Sequence, residues 1–329
     1  PHLHGRAGRR MRFAVEAWAT EYGSPMEIEQ LELSADKIDC EVERPVAAWE
    51  PLTPAAQVAP ERVLFTDGVR RIDARVWVDD EAGQSRPGVC ATYAAGAVCC
   101  DGRAKLVDFK VERGFFSAVR NAGSIECKHG TYKVRRAEGD APEQLWLAIQ
   151  QRMGELEAKI AGAIDAELVV VDGPLKGGQS LPNAVGYVKT HHVSYLPPSV
   201  GGTVARLAPG QRTPLFLTLG RWGRFSWYLK LPGGGAGHPW SGVVRCETSA
   251  DHETSAAIAL ADKVSAALPR FASQEHKDPR APQNLYPIAG LERDLRRRLG
   301  DPALLYRGLR VAARVQPPVS LVEIAPQTA

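Results

Sequence analysis

Two aspartates in this sequence sit where strand-like runs end. Asp67 closes the apolar run that starts at Val63 and is followed by Gly68. Asp172 closes the run from Leu168 and is followed by Gly173. Carboxylates brought together from separate segments offer the hard oxygen ligands that Mg²⁺ and Mn²⁺ prefer. Two such cations about 3.5–4 Å apart activate a water and steady the leaving oxygen when a phosphodiester is hydrolysed. Two like charges that close repel each other, so the pairing predicts a cation between them. An Asp-Gly step alone is more often a turn; the ordered pair is what favours chemistry.

The elements that must position this pair are readable from periodicity. Ile72, Ala74, Val76 and Val78 alternate with Asp73, Arg75 and Trp77, the period of a half-buried strand. With the run before Asp67, they predict a β-hairpin turning at Asp67-Gly68. Residues 88–100 and 106–112 are further strand candidates. Residues 143–166 predict a long helix, with Ile149, Met153, Leu156, Ile160 and Ile164 on one face. The run 168–172 is apolar enough for a strand buried on both faces. The order β-β-β-α-β is that of an α/β, ribonuclease H-like core with a mixed sheet. In that arrangement the first strand and the strand after the helix are neighbours, and Asp67 and Asp172 meet at one edge.

Downstream, 186–193 predicts a strand or a helix start. Residues 215–219, 225–231 and 242–247 predict three additional antiparallel strands. An Ala-rich helix is expected over 253–268, a loop over 273–286 and a last charged C-terminal helix over 288–299. Residues 13–18 suggest a strand, and four prolines make 45–60 a connector. Met11 reads as a natural start, which makes 1–10 an upstream or cloning-derived extension. The domain reading is then 11–60 as an N-terminal segment on the core and 61–329 as the catalytic domain.

Composition narrows the function classes. With 44% hydrophobic and 24% charged residues, the chain reads as an ordinary globular protein. No apolar run suits a membrane span and no signal peptide is evident. A net charge of +3 makes no whole-protein case for nucleic acid, so any such case rests on local clusters. None of the six cysteines forms a CxxC pair or has a His at zinc-ligand spacing. They read as buried thiols in a reducing cytoplasm.

The segments Phe65-Thr-Asp67-Gly68-Val69, Val170-Val-Asp172-Gly173-Pro174-Leu175 and Gly186-Tyr-Val-Lys189-Thr190 resemble successive motifs of the NurA nuclease family. Val244-Arg245-Cys246-Glu247 is similar to the family's Arg-Ile-Glu strand. The stretch 277–285, with Leu291-Glu292 and the basic helix after it, resembles bacterial members. The resemblance covers about residues 60–300. It implies a ribonuclease H-like nuclease that needs Mn²⁺ or Mg²⁺ and degrades DNA by endonuclease or 5′–3′ exonuclease action. It also implies a homodimer working with a hexameric HerA-like ATPase in end resection, repair or phage defence. Asp67 and Asp172 match the two Asp-Gly motifs. Glu155, 17 residues before Asp172, suits the family's spacing for a third ligand; Glu157, nearer the apolar face, also qualifies. Asp278 or Asp262 is expected as a late ligand, with Asp278 preferred. Lys189, Arg245 and Arg280 are candidate DNA contacts. A late His of archaeal members has no counterpart here after Pro287.

Plainer readings stand beside these. Arg245 and Glu247 read equally as a structural ion pair, Asp278 to Arg280 as loop capping, and Glu155 and Glu157 as solvated charges. Arg296–Arg298 read as a solvated helix face. Trp222, Phe225, Trp227 and Tyr228 read as packing before they read as a base-stacking platform. The rival function is a non-catalytic adaptor of the same fold that docks on an ATPase or a DNA end. A ribonuclease H-like enzyme acting on RNA is a further alternative.

Overall fold

The computed structural model describes residues 32–315 apart from 35, 55–58, 176–180, 192, 221 and 234–239. The strand expected over 13–18 and the extension 1–10 lie outside the described residues. In chain order the elements are β1 (Glu32–Leu33), β2 (Lys37–Asp39), β3 (Val63–Asp79), β4 (Ser85–Cys100), β5 (Ala104–Ser117), β6 (Ile125–Cys127) and β7 (Gly130–Arg136). Then come α1 (Pro142–Gly162), β8 (Leu168–Asp172), β9 (Ala184–Val188), β10 (Val193–Ser194), α2 (Pro198–Ala205), β11 (Phe216–Leu219), β12 (Gly223–Lys230) and β13 (Val243–Ser249). Helices α3 (Thr254–Ala267), α4 (Tyr286–Arg298) and α5 (Pro302–Val315) complete the chain. This is an α/β protein with a large mixed sheet and C-terminal helices. None of its described helices is long and apolar enough to cross a membrane.

Contacts group the chain into two units. One is Pro60–Val185 with Pro287–Ala329; the other is Pro1–Ala59 with Gly186–Tyr286. In the first, the strand order is β8-β3-β4-β5-β7-β6. Strands β3, β4 and β5 form an antiparallel meander, while β8 joins β3 in parallel. A parallel neighbour requires a crossover, and α1 supplies it. Ile149, Met153, Leu156 and Ile160 recur along one side of α1 and pack on Leu64, Ala95, Ala97, Val169 and Val171. The small β4 residues opposite β3 let the helix lie close.

The hairpin expected at Asp67-Gly68 is not there. β3 runs unbroken through both residues, with Asp67 opposite Gly96 and Gly68 opposite Ala95. The chain turns instead at Asp80–Gly83. There Asp80 Oδ1 accepts from the Ala82 and Gln84 amides, and Gly83 takes a φ of 76°. β3 bends by a bulge at Asp73. That buried carboxylate accepts from Arg71 Nε at 2.8 Å, Thr92 Oγ1 at 2.5 Å and Tyr132 Oη at 2.9 Å. The elements not anticipated include β1, β2, the β6–β7 hairpin, α2 and α5.

In the other unit the order is β2-β11-β12-β13-β9, antiparallel throughout. Its core holds Trp49, Val200, Val204, Phe216, Tyr228 and Val243. A buried ion triad ties its N-terminal segment down. Arg212 is bidentate to Glu43 at 2.8 Å on both contacts and donates to Asp262 Oδ1 at 2.7 Å. Asp262 is therefore an ion-pair residue.

Candidate active site

The β3–β8 ladder sets the first two carboxylates. Its register pairs Phe65 with Val170 and Thr66 with Val171. The ladder's last pair is Thr66 with Val171; continued by one residue, the same register would set Asp67 beside Asp172, roughly 4.8 Å apart at the backbone by normal strand spacing. Residues in register on neighbouring strands project from the same face. Thr66 pairs with Ala97, which packs on α1, so Asp67 projects from the opposite face. Across β4 that face carries Gly96, where an added Cβ would lie 3.1 Å from both Leu291 Cδ1 and Leu295 Cδ2 of α4. Asp67 is 9% exposed, and its Oδ1 accepts from the Gly68 amide at 2.7 Å.

Gly68 opens a gap on the α1 face. A Cβ built there would stand 2.2 Å from Glu157 Oε1 and 2.9 Å from Met153 Cγ. The Glu157 carboxylate thus occupies the space a side chain would fill, directly after Asp67 in sequence. Glu157 is buried and Glu155 is not: Glu155 is exposed and paired with Arg152 at 2.8 Å. The preference for Glu155 is corrected by helix geometry. Glu157 lies four residues after Met153 on the buried stripe, whereas Glu155 lies two after it, on the far side.

Arg70, not singled out in the sequence, also lies on the α1 face. Burial lowers its pKa, and the nearby Glu157 carboxylate opposes that shift. Its guanidinium covers the Trp146 ring at 4.2 Å. An alternation of even-numbered residues across β3 would have flagged it, had the strand been read as continuous.

The other unit gathers a second polar cluster. Lys189 Nζ donates to Asn284 Oδ1 at 3.2 Å, and Asn284 Nδ2 donates to Asp278 Oδ2 at 2.8 Å. Asp278 Oδ1 accepts from the Arg280 amide at 2.8 Å, with the Arg280 guanidinium 4.0 Å away. Lys189, Asp278 and Arg280 are thus brought together, through an asparagine that sequence reasoning missed. Asp278 has both oxygens engaged in shaping its own loop, which agrees with the loop-capping reading. Arg245 is buried, donates to Glu247 at 2.6 Å and lies over the Tyr195 ring at 4.4 Å, which agrees with the structural ion-pair reading.

Phe225, Trp227 and Tyr228 are core residues; Trp222 is exposed. Arg296 and Arg298 pair with Glu292 and Asp294 on their own helix. Among the described residues, no group of three His, Cys, Asp or Glu side chains stands close enough to cage a metal ion. No protein-family model and no curated protein matches the chain.

Proposed function

We propose that this chain is a metal-dependent DNA nuclease with a ribonuclease H-like core. The observation that carries the reading is the β3–β8 register, whose last pair, Thr66 with Val171, immediately precedes Asp67 and Asp172. The strand-meander, helix, parallel-strand order supports it. So does the Glu157 carboxylate lodged at Gly68.

The donor set fits Mg²⁺ or Mn²⁺. These are hard cations, and Mg²⁺ keeps several waters and commonly takes only one or two protein carboxylates beside substrate phosphate. A carboxylate pair with no third donor is therefore sufficient for a first ion. When bound, the cation supplies an activated water and stabilises charge on the leaving oxygen. Asp67 and Asp172 would hold it, and Glu157 would add negative charge through the gap at Gly68. Arg70 keeps Glu157 in place and limits the repulsion among three acids. Lys189, fixed by Asn284, serves as a point charge for a backbone phosphate, and Arg280 stands in the same cluster. The resemblance to NurA adds a homodimer, a HerA-like hexameric ATPase as partner and a role in end resection, repair or phage defence in the cytoplasm.

The test supplies Mn²⁺ and single-stranded DNA to the wild type, Asp67→Asn and Asp172→Asn. Each substitution is expected to lower cutting by at least about hundredfold with unchanged melting. Cutting that survives both changes overturns the site. A wild type that cuts nothing with either metal, with or without an ATPase motor, favours the adaptor instead.

A further inference from the structure

The α1 face of β3 continues beyond Gly68 and Arg70. The bulge at Asp73 shifts the alternation by one, so the residues on this face are Gly68, Arg70, Ile72, Arg75 and Trp77. Arg75 stands opposite Val89 and Trp77 opposite Pro87. Glu157 and Met153 of α1 cover Gly68, so the open track runs from Arg70 to Trp77, eight residues with one bulge, on the order of 20 Å. It ends in a cavity of about 320 Å³ between Trp77 on β3 and Trp146 on α1, floored by Val89, Leu145 and Ile149.

Three features of this track call for an occupant. Trp77 and Trp146 are 63% and 45% exposed and Ile72 is 40% exposed, an apolar wall open to solvent. Two guanidiniums are interleaved with these rings: Arg70 beside Trp146, and Arg75 between Ile72 and Trp77. The Arg70 Nε–H is buried with no acceptor among the described residues, and a buried donor of this kind normally has a partner.

We propose that this groove binds an unpaired polynucleotide strand, with a nucleobase held in the Trp77–Trp146 cavity and phosphates on Arg70 and Arg75. Any base has a π-face, so flat rings spaced by cations bind single strands with little sequence preference. A guanidinium already covers one face of Trp146, which leaves the other for a base. A paired base is stacked on both sides and does not enter the cavity, so the track selects unpaired DNA. The inference rests on the nuclease reading for the nature of the strand, and its test is independent of cleavage.

Binding of a fluorescein-labelled oligothymidylate to the full chain is followed by anisotropy in EDTA, where no cutting occurs. Trp77→Ala and Trp146→Ala are each expected to weaken binding about tenfold, and Trp77→Phe to restore most of it. Arg75→Ala is expected to lower the slope of log affinity against log salt by about one phosphate contact. Closed circular duplex is expected to bind Trp77→Ala and wild type alike. Equal oligothymidylate affinity for wild type and both alanine variants overturns the proposal. So does a Trp77→Ala protein that changes only its sedimentation, since the face would then join copies of the chain. Loss of oligothymidylate binding in Trp77→Ala with no cutting by the wild type leaves the groove standing and defeats the nuclease reading. Cutting that needs Asp67 while Trp77 is dispensable for binding does the reverse.

Discussion

Gly68→Ala tests the reasoning most sharply, because it adds one methyl group and removes no functional atom. Gly68 does not have a left-handed φ, so the backbone accepts alanine without strain. The effect comes from what the new Cβ meets. It would stand 2.2 Å from Glu157 Oε1, against an ordinary contact from 3.4 Å, a deficit of 3.4 − 2.2 = 1.2 Å. The deficit against Met153 Cγ is 3.4 − 2.9 = 0.5 Å. The carboxylate is the flexible end of its side chain, so it moves by about 1 Å and α1 shifts less. A misplacement of about 1 Å in a catalytic group costs on the order of a hundredfold. Overpacking of about 1–3 kcal/mol is partly offset by the roughly 0.5–1 kcal/mol that alanine gains over glycine in a strand. The expected protein is folded, slightly less stable, and cuts single-stranded DNA about a hundredfold more slowly with Mn²⁺. Glu157→Gln combined with Gly68→Ala is expected to be no worse than the poorer single variant, because both act through one carboxylate. A folded Gly68→Ala enzyme that cuts at the wild-type rate would refute the assignment of Glu157 and the purpose given to the glycine.

Three further outcomes follow from the same structure. Arg212→Met leaves Glu43 and Asp262 buried without their cation, so urea unfolding is expected to show a loss of about 3–5 kcal/mol. Burial pushes Cys40 up to about 11 and Cys90 and Tyr228 up to about 12, from ordinary values of 9.0 and 10.0. A raised folded pKa contributes stability that is complete below the unfolded value and is lost as pH climbs through the folded one. The melting temperature is therefore expected to hold to about pH 9 and fall between there and pH 12; a flat profile across that window contradicts the burial of these groups. Asp73→Ala strands Thr92, Tyr132 and Arg71 at the β3 bulge and is expected to cost about 2–4 kcal/mol in chemical denaturation, with cutting unchanged in the folded fraction.

The elements that sequence reasoning read well are those whose apolar pattern answers to a single partner. α1 and β8 have such patterns, and their observed limits, Pro142–Gly162 and Leu168–Asp172, lie close to the expected ones. The Asp67-Gly68 step misled because local turn chemistry and a tertiary close approach call for the same residue. Gly68 is a glycine for the sake of a helix some ninety residues away. α5 escaped because, among its residues of described burial, it buries Leu305, Gly308 and Leu309, and most of the others are exposed. Its Gly308 reads as a helix breaker, yet an added Cβ there would stand 3.3 Å from both Cys127 Sγ and His129 Cδ2. Asn284 escaped because loop residues carry no period. Its role comes from Asp278 six residues earlier and Lys189 far upstream.

A single strand carries both halves of the functional argument, and alternation along it explains why they do not interfere. From one face β3 presents Asp67 toward Asp172, where cations are to be held. From the other it presents nothing at Gly68, then Arg70, Arg75 and Trp77, where negative charge and flat rings are to be bound. Cations beside the acids on one face would compete with a metal ion; on the opposite face they would draw phosphate without neutralising the proposed ligands. Glu157 is the exception, a carboxylate on the cationic face, lodged where Gly68 has no side chain. Any residue larger than glycine there would displace the Glu157 carboxylate.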